Sequence, residues 1–310
     1  MNDWRSIFPE SGPWGGILRG LFYSYREQHR ARVSRARMEF PLEIYQHPEH
    51  AGLRREGGRN AALLVHGFPG SPIEMRWLAD ELHTQGWTVE APLLPGFGPE
   101  ILELGERRWE DWQQTVTGAL ERLKRDYERV LLVGLSMGGA LSVRAAAACP
   151  PDGLVLLAPF SGLILPLRQA LYAGQWLFPP APQLLRYWEW LDFPQVRKDV
   201  ENFLPGVEWD RPELRAALRE MRFPLRTLVQ IQRAGQTAVR AAPLVRTPTL
   251  IVQGNLDVVV LPVTTRRLAA RLPQVERYLE VTAAHDLLYV NRPAWPQVRQ
   301  SVVEFARGIQ

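Results

Sequence analysis

From residue 60 onward the chain alternates short runs that are apolar at every position with longer runs that are apolar at every third or fourth. Residues 61–65 (AALLV), 130–133 (VLLV), 153–158 (GLVLLA) and 249–253 (TLIVQ) are too short for helices and predict strands buried on both faces. Weaker strand patterns fall at 88–91 and near 277–281. Between them, residues 74–86 place Met75, Leu78, Ala79 and Leu82 on one helical face, and helices are also predicted over 109–127, 137–148, 264–272 and 295–307. Doubly apolar strands in alternation with helices predict an α/β protein whose mostly parallel sheet is covered by helices on both faces.

Two regions depart from this rhythm. In residues 1–60, Ile17, Leu18, Leu21, Phe22 and Tyr25 recur at helical spacing within 15–37, followed by an extended, turn-rich stretch over 38–59. Residues 160–245 interrupt the alternation after the strand that follows the 137–148 helix. Ten of the chain's 30 aromatic residues fall within 160–209, and prolines at 166, 179, 180, 182, 194 and 205 leave room only for short helices. An aromatic-rich, proline-broken insertion at that place reads as a helical cap over the carboxyl edge of the sheet, with Trp176, Phe178, Tyr187, Trp188 and Trp190 as candidate substrate-facing rings. The expected division is an N-terminal extension 1–60, a core 61–159 with 246–310, and a cap 160–245.

Composition adds bounds rather than a function. With 310 residues, 46% of them hydrophobic and 23% charged, a sizeable core is available. A formal charge of +4 is small for this length, and the five arginines within 26–37 read as a solvated helix face rather than a nucleic-acid contact. The lone Cys149 rules out an internal disulfide. No secretory pattern opens the chain and no run of about 18 apolar residues occurs, so a cytoplasmic protein without a membrane span is expected.

Candidate chemistry centres on residues 129–140, RVLLVGLSMGGA, in which Ser136 is flanked by Gly134 and Gly138 in a G-x-S-x-G arrangement between strand and helix. Glycine and serine also serve ordinary tight turns, so the assignment depends on finding a base and an acid. A serine hydroxyl is a weak nucleophile and needs both. Of six histidines, His29, His47 and His50 precede the sheet region, His83 falls on a helix, and His66 ends a strand beside glycine, a place suited to fixing a loop. His285 alone follows Ser136, in the loop after the last strand. The acid is expected in the loop after the preceding strand, where Asp257 stands; Asp286 adjoins the base, Asp192, Asp199 and Asp210 lie in the cap segment, and Glu280 is the fallback on the final strand. The chain order Ser136, Asp257, His285 is that of a strand-edge serine triad. Two backbone donors complete such a site: the N–H of Met137 and, from the HGFPGS loop, the N–H of Phe68.

HGFPGSP, GLSMGG, GNLDVVV and the late AHDLL loop together resemble the α/β-hydrolase superfamily, and more narrowly its bacterial carboxylesterases and monoacylglycerol lipases. The resemblance covers about 61–158 and 249–307; the cap is similar in placement only. It implies an α/β-hydrolase fold in which Ser136 is nucleophile, His285 base and Asp257 its orienter, with Phe68 and Met137 as oxyanion donors. It further implies cleavage of carboxylic esters bearing a hydrophobic acyl or alcohol group through an acyl-enzyme, with no metal and no organic cofactor. Carbon–carbon bond hydrolases, thioesterases and amidases or aminopeptidases share the same triad and stay open as alternatives, as does a ligand-binding member without turnover. Residues 1–60 exceed the compact members of the family and offer a segment for pairing copies of the chain.

Overall fold

The computed structural model describes Tyr45, residues 47–177 and residues 225–309. Seven strands form one sheet: β1 (Leu53–Arg55), β2 (Asn60–Val65), β3 (Thr88–Ala91), β4 (Arg129–Leu135), β5 (Gly153–Leu157), β6 (Thr249–Gly254) and β7 (Val275–Val281). Their spatial order is β1-β3-β2-β4-β5-β6-β7. The outermost β1 runs antiparallel to β3, and every other neighbouring pair is parallel. The described α-helices are α1 (Arg76–Thr84), α2 (Trp109–Asp126), α3 (Met137–Ala148), α4 (Leu165–Leu177), α5 (Leu225–Ala241), α6 (Pro262–Ala269) and α7 (Trp295–Gly308). The N-terminal helix expected over 15–37 lies outside the described residues, as does most of the segment read as a cap.

Successive residues of a strand point to opposite faces, so a run apolar at every position needs cover on both. Ala61, Leu63, Val130, Leu132, Leu154 and Leu156 face one layer, where they meet Leu120 and Leu123 of α2, Ala140 of α3, Ile231 and Ala238 of α5, and Leu268 of α6. The intervening Ala62, Leu64, Leu131, Val133, Val155 and Leu157 face the other, against Leu78 and Leu82 of α1 and Val298 and Val302 of α7. The doubly covered parallel sheet and its helices carry the α/β class expected from the pattern.

Three local features differ from the pattern. Strand β1 has no apolar run; its place is set by pairing with β3 and by Arg54, whose Nη1 donates to Glu90 Oε2 at 2.8 Å. Glu90 is the one charged residue of β3 and is buried, held between Arg54 and Arg122 of α2. Helix α1 begins later than its periodicity suggests because a tight single turn, Pro72–Met75, precedes it, with Ser71 Oγ accepting the Ile73 N–H. Helix α4 runs for 13 residues, longer than the proline spacing suggested: Pro166 falls in its first turn, where the missing N–H costs nothing. Among the described residues no helix is long and apolar enough to cross a membrane.

The strand order decides where a site can form. From β2 the chain moves outward to β3, then crosses back past β2 to lay down β4 on its other side. The carboxyl ends of β2 and β4 therefore flank a point where the winding reverses, the usual place for a crevice in an open parallel sheet.

Candidate active site

At that reversal β4 ends at Leu135 and α3 begins at Met137, so Ser136 alone turns the chain. Its backbone stands at φ 53°, ψ −117°, a conformation an L-residue adopts only when its surroundings enforce it. They do so here: the Ser136 N–H donates to Leu157 O at 2.9 Å, and its carbonyl accepts from Phe160 N–H at 2.9 Å and Ala140 N–H at 3.2 Å. The flanking glycines are needed for close approach. A Cβ on Gly134 would come within 2.5 Å of both Gly138 O and Ser142 Oγ; one on Gly138 would run into Val65 O and come within 2.5 Å of His66 O. Strand end, helix start and the end of β2 are thus packed backbone against backbone.

Asp257 and His285 come together across 28 residues of chain. His285 Nδ1 lies 2.6 Å from Asp257 Oδ2, with no exposed surface on the carboxylate side chain and 24% on the imidazole. The other carboxylate oxygen accepts the N–H groups of Val259 and Val260, both at 2.8 Å. With Nδ1–H donated to the carboxylate, Nε2 is left as the acceptor. Gln253, at the end of β6, ties this loop down: its Nε2 donates to Val260 O at 3.0 Å and reaches Asp257 Oδ2 at 3.4 Å, while its Oε1 accepts from Thr265 Oγ1 at 2.6 Å.

Ser136 and His285 line one narrow cleft of about 40 Å³, together with Gly67, Phe68, Glu74 and Leu135 on the sheet side and Asp286, Leu288 and Tyr289 from the late loop. Met137, first residue of α3, buries its side chain in the apolar layer. The ring of Phe68 meets Phe97 edge-on at 6.2 Å, and Phe97 in turn packs on His66 at 5.1 Å and Trp112 at 5.6 Å. His66 serves the loop with both ring nitrogens: Nε2 accepts the Leu94 N–H at 3.2 Å, so Nδ1–H donates to Gly67 O at 2.9 Å. Burial pushes this imidazole down to about 4, which keeps it neutral at neutral pH.

The rival residues are occupied elsewhere. Asp286 pairs with Arg292 at 2.5 Å, and Glu280 receives two bonds from Arg266 at 2.7 and 2.8 Å. His50 is buried against Ser71 Oγ at 2.8 Å. Trp176 falls in the last turn of α4, while Phe178, Tyr187, Trp188, Trp190, Asp192, Asp199 and Asp210 lie outside the described residues. Two residues of the site were not singled out by sequence: Gln253 and Glu74. Their only signal was a polar residue at the end of an apolar strand and an acidic one just after the HGFPG loop.

Glu74 is perturbed by its place in the cleft. Burial pushes its carboxyl up to about 7, opposed by the Gly67 N–H and by the charge of His285. Among the described residues no group of three or more His, Cys, Asp or Glu is placed to hold a metal ion.

Comparison with known proteins extends these observations. The sequence model of Hydrolase_4, described as serine aminopeptidase, S33, matches residues 58–289. A carboxylesterase of Bacillus subtilis (strain 168) is 38% identical over 101 residues, 32% of this chain and 41% of that protein. A thermostable monoacylglycerol lipase of Bacillus sp. (strain H-257) is 37% identical over 95 residues, 31% and 38% of the two chains. The aligned part thus spans about two fifths of the length of these curated relatives. Among solved structures, one of the metagenome-derived lipolytic enzymes LipS and LipT superposes with a TM-score of 0.65 at 24% identity, covering 84% of this chain and 98% of its own. The Paleococcus ferrophilus monoacylglycerol lipase gives 0.62 at 19%, with the same coverage. At these identities the structural likeness carries the fold.

Proposed function

The chain belongs to the Hydrolase_4 family, serine aminopeptidase, S33, and from that premise we propose that it hydrolyses carboxylic esters with a hydrophobic acyl or alcohol group through an acyl-enzyme. The observation that carries the proposal is the 2.6 Å contact between His285 and the buried Asp257, opening on a cleft shared with a serine held at positive φ. Ser136 Oγ attacks the ester carbonyl as His285 Nε2 takes its proton; Asp257 keeps the imidazole in the required tautomer and favours the imidazolium formed. The developing oxyanion is met by the N–H groups of Phe68 and Met137, the latter at the N-terminal end of α3 where the helix dipole favours negative charge. His285 then returns the proton to the departing alcohol, and the same base activates the water that releases the acid. The aromatic rings of the 160–209 segment, Trp176, Phe178, Tyr187, Trp188 and Trp190 among them, supply an apolar binding surface in this reading.

Relatives described as a carboxylesterase and a monoacylglycerol lipase support the ester over other acyl compounds. The test is hydrolysis of p-nitrophenyl esters of increasing chain length, a monoacylglycerol, a thioester and an amino-acid anilide by the wild type and Ser136→Ala. Ester turnover and fluorophosphonate labelling in the wild type, both lost in Ser136→Ala, are expected. Turnover in the variant overturns the nucleophile, and preference for the anilide or thioester overturns the substrate class.

A further inference from the structure

Glu74 is the acidic side chain of the cleft left over once Asp257 is given to His285 and Asp286 to Arg292. It stands on the single turn Pro72–Met75, and its Oε2 accepts the Gly67 N–H at 3.2 Å. The turn 66–70 closes around the carboxyl. Gly70 N–H donates back to Gly67 O at 3.1 Å, and a Cβ on Gly70 would collide with the Glu74 carboxyl. A Cβ on Gly67 would lie 3.8 Å from Glu74 Oε2 and 3.1 Å from the Cβ of Ser136. Carboxyl, turn and serine are therefore in continuous contact.

The bonding pattern fixes two consecutive peptide planes. Glu74 holds the plane that contains the Gly67 N–H. The next plane contains Gly67 C=O and the N–H of Phe68, which point in opposite directions because the peptide is planar. Its carbonyl end is held by His66 Nδ1 and by Gly70 N–H. With both planes restrained, the direction of the Phe68 N–H is set before any substrate arrives, which is what an oxyanion donor requires.

The charge of Glu74 is tied to the same reaction. Its ionised form and a protonated His285 attract one another, and burial leaves it close to half-ionised at neutral pH, at about 7. The other titratable groups around it are Asp286 and Tyr289 across the cleft and Tyr45, whose hydroxyl burial first and the Glu74 charge second push above its usual range. We propose that Glu74 is a positioning residue for acyl transfer: its carboxyl holds the turn that aims the Phe68 N–H, and its negative charge favours the imidazolium that His285 becomes during attack.

This inference rests on the acyl-transfer reading above, and one set of variants separates the two. Glu74→Ala loses both the acceptor and the charge; kcat is expected to fall about ten- to a hundred-fold, with KM changed by less than about threefold. Glu74→Gln keeps an acceptor for the Gly67 N–H and restores most of that loss. It removes one of the two ionisations expected on the acid side of the wild-type kcat/KM profile. A Glu74→Ala kcat within about twofold of wild type, or a Glu74→Gln profile identical to wild type, overturns the proposal. Should neither variant fold, Glu74→Asp takes their place, keeping the charge but drawing the acceptor back by one methylene from the Gly67 N–H: a kcat about tenfold lower with KM held supports the role, and one within about twofold of wild type refutes it. Ester turnover in Ser136→Ala would overturn the acyl-transfer reading itself. An inert Ser136→Ala beside unaffected Glu74 variants would overturn only the part given to Glu74.

Discussion

Replacing His66 by phenylalanine keeps a ring against Phe97 but leaves Gly67 O without the Nδ1 donor and Leu94 N–H without the Nε2 acceptor. Gly67 O keeps the Gly70 N–H, but an orphaned buried group such as the Leu94 N–H costs about 1–3 kcal/mol, so at pH 7.5 the variant should be less stable by about that amount. The pH dependence of that gap tests the neutral state of the ring. Burial holds the folded imidazole near 4, against an ordinary value of 6.5. Between those values the unfolded chain binds the extra proton and the folded chain does not, so stability rises with pH and is lost on acidification. The wild-type advantage should therefore shrink by about 2 kcal/mol at pH 5 and about 3 kcal/mol at pH 4, relative to pH 7.5. Urea unfolding of both proteins at pH 7.5, 6, 5 and 4 measures it, because every other titrating group cancels in the difference. A gap constant to within about 0.5 kcal/mol would refute the neutral, doubly bonded ring. If the variant does not fold, an NMR titration of the wild-type His66 ring between pH 8 and 5.5 should show no protonation; a midpoint near 6.5 would refute it equally.

Asp257→Asn should fold and bind ester but lose about 10⁴-fold in kcat, since its amide would present a donor to Nδ1 and move the ring proton to Nε2; a loss under tenfold counts against the triad. Gly138→Ala should lower the melting temperature sharply or prevent folding, because its Cβ would meet Val65 O and His66 O, and melting followed by circular dichroism reads this directly. Gly118→Ala serves as its opposite: nothing stands within 4 Å of a Cβ there, on α2, so a gain of about 0.5–1 kcal/mol is expected in urea unfolding.

The central strands were legible because burial on both faces demands apolar residues at every position, as in Leu63-Leu64-Val65 and Val155-Leu156-Leu157. Strand β1 was not, because Leu53-Arg54-Arg55 draws on an edge pairing and a guanidinium–carboxylate contact with Glu90, neither of which leaves a period in the sequence. The candidate triad was readable from order alone: once the strands are assigned, Ser136, Asp257 and His285 each fall just beyond a strand end. Gln253 and Glu74 were not readable. One is a buried amide whose partners lie up to 12 residues away, the other a carboxyl whose meaning depends on a turn folding around it.

The close approach of Gly138 to Val65 O, which leaves no room for a Cβ, joins two turns through main-chain atoms only. Such a joint has no side chain to trim or enlarge, so variation cannot adjust it by degrees; a substitution either preserves it or breaks it. The turns that carry Ser136 and Phe68 consequently behave as a single cast part, closed to incremental tuning. By contrast the side chains of Leu256, Val258 and Val259, in the loop around Asp257, stand exposed and make no part of that joint. Side chains there can change in size by degrees; at Gly138 the first added carbon already meets main chain.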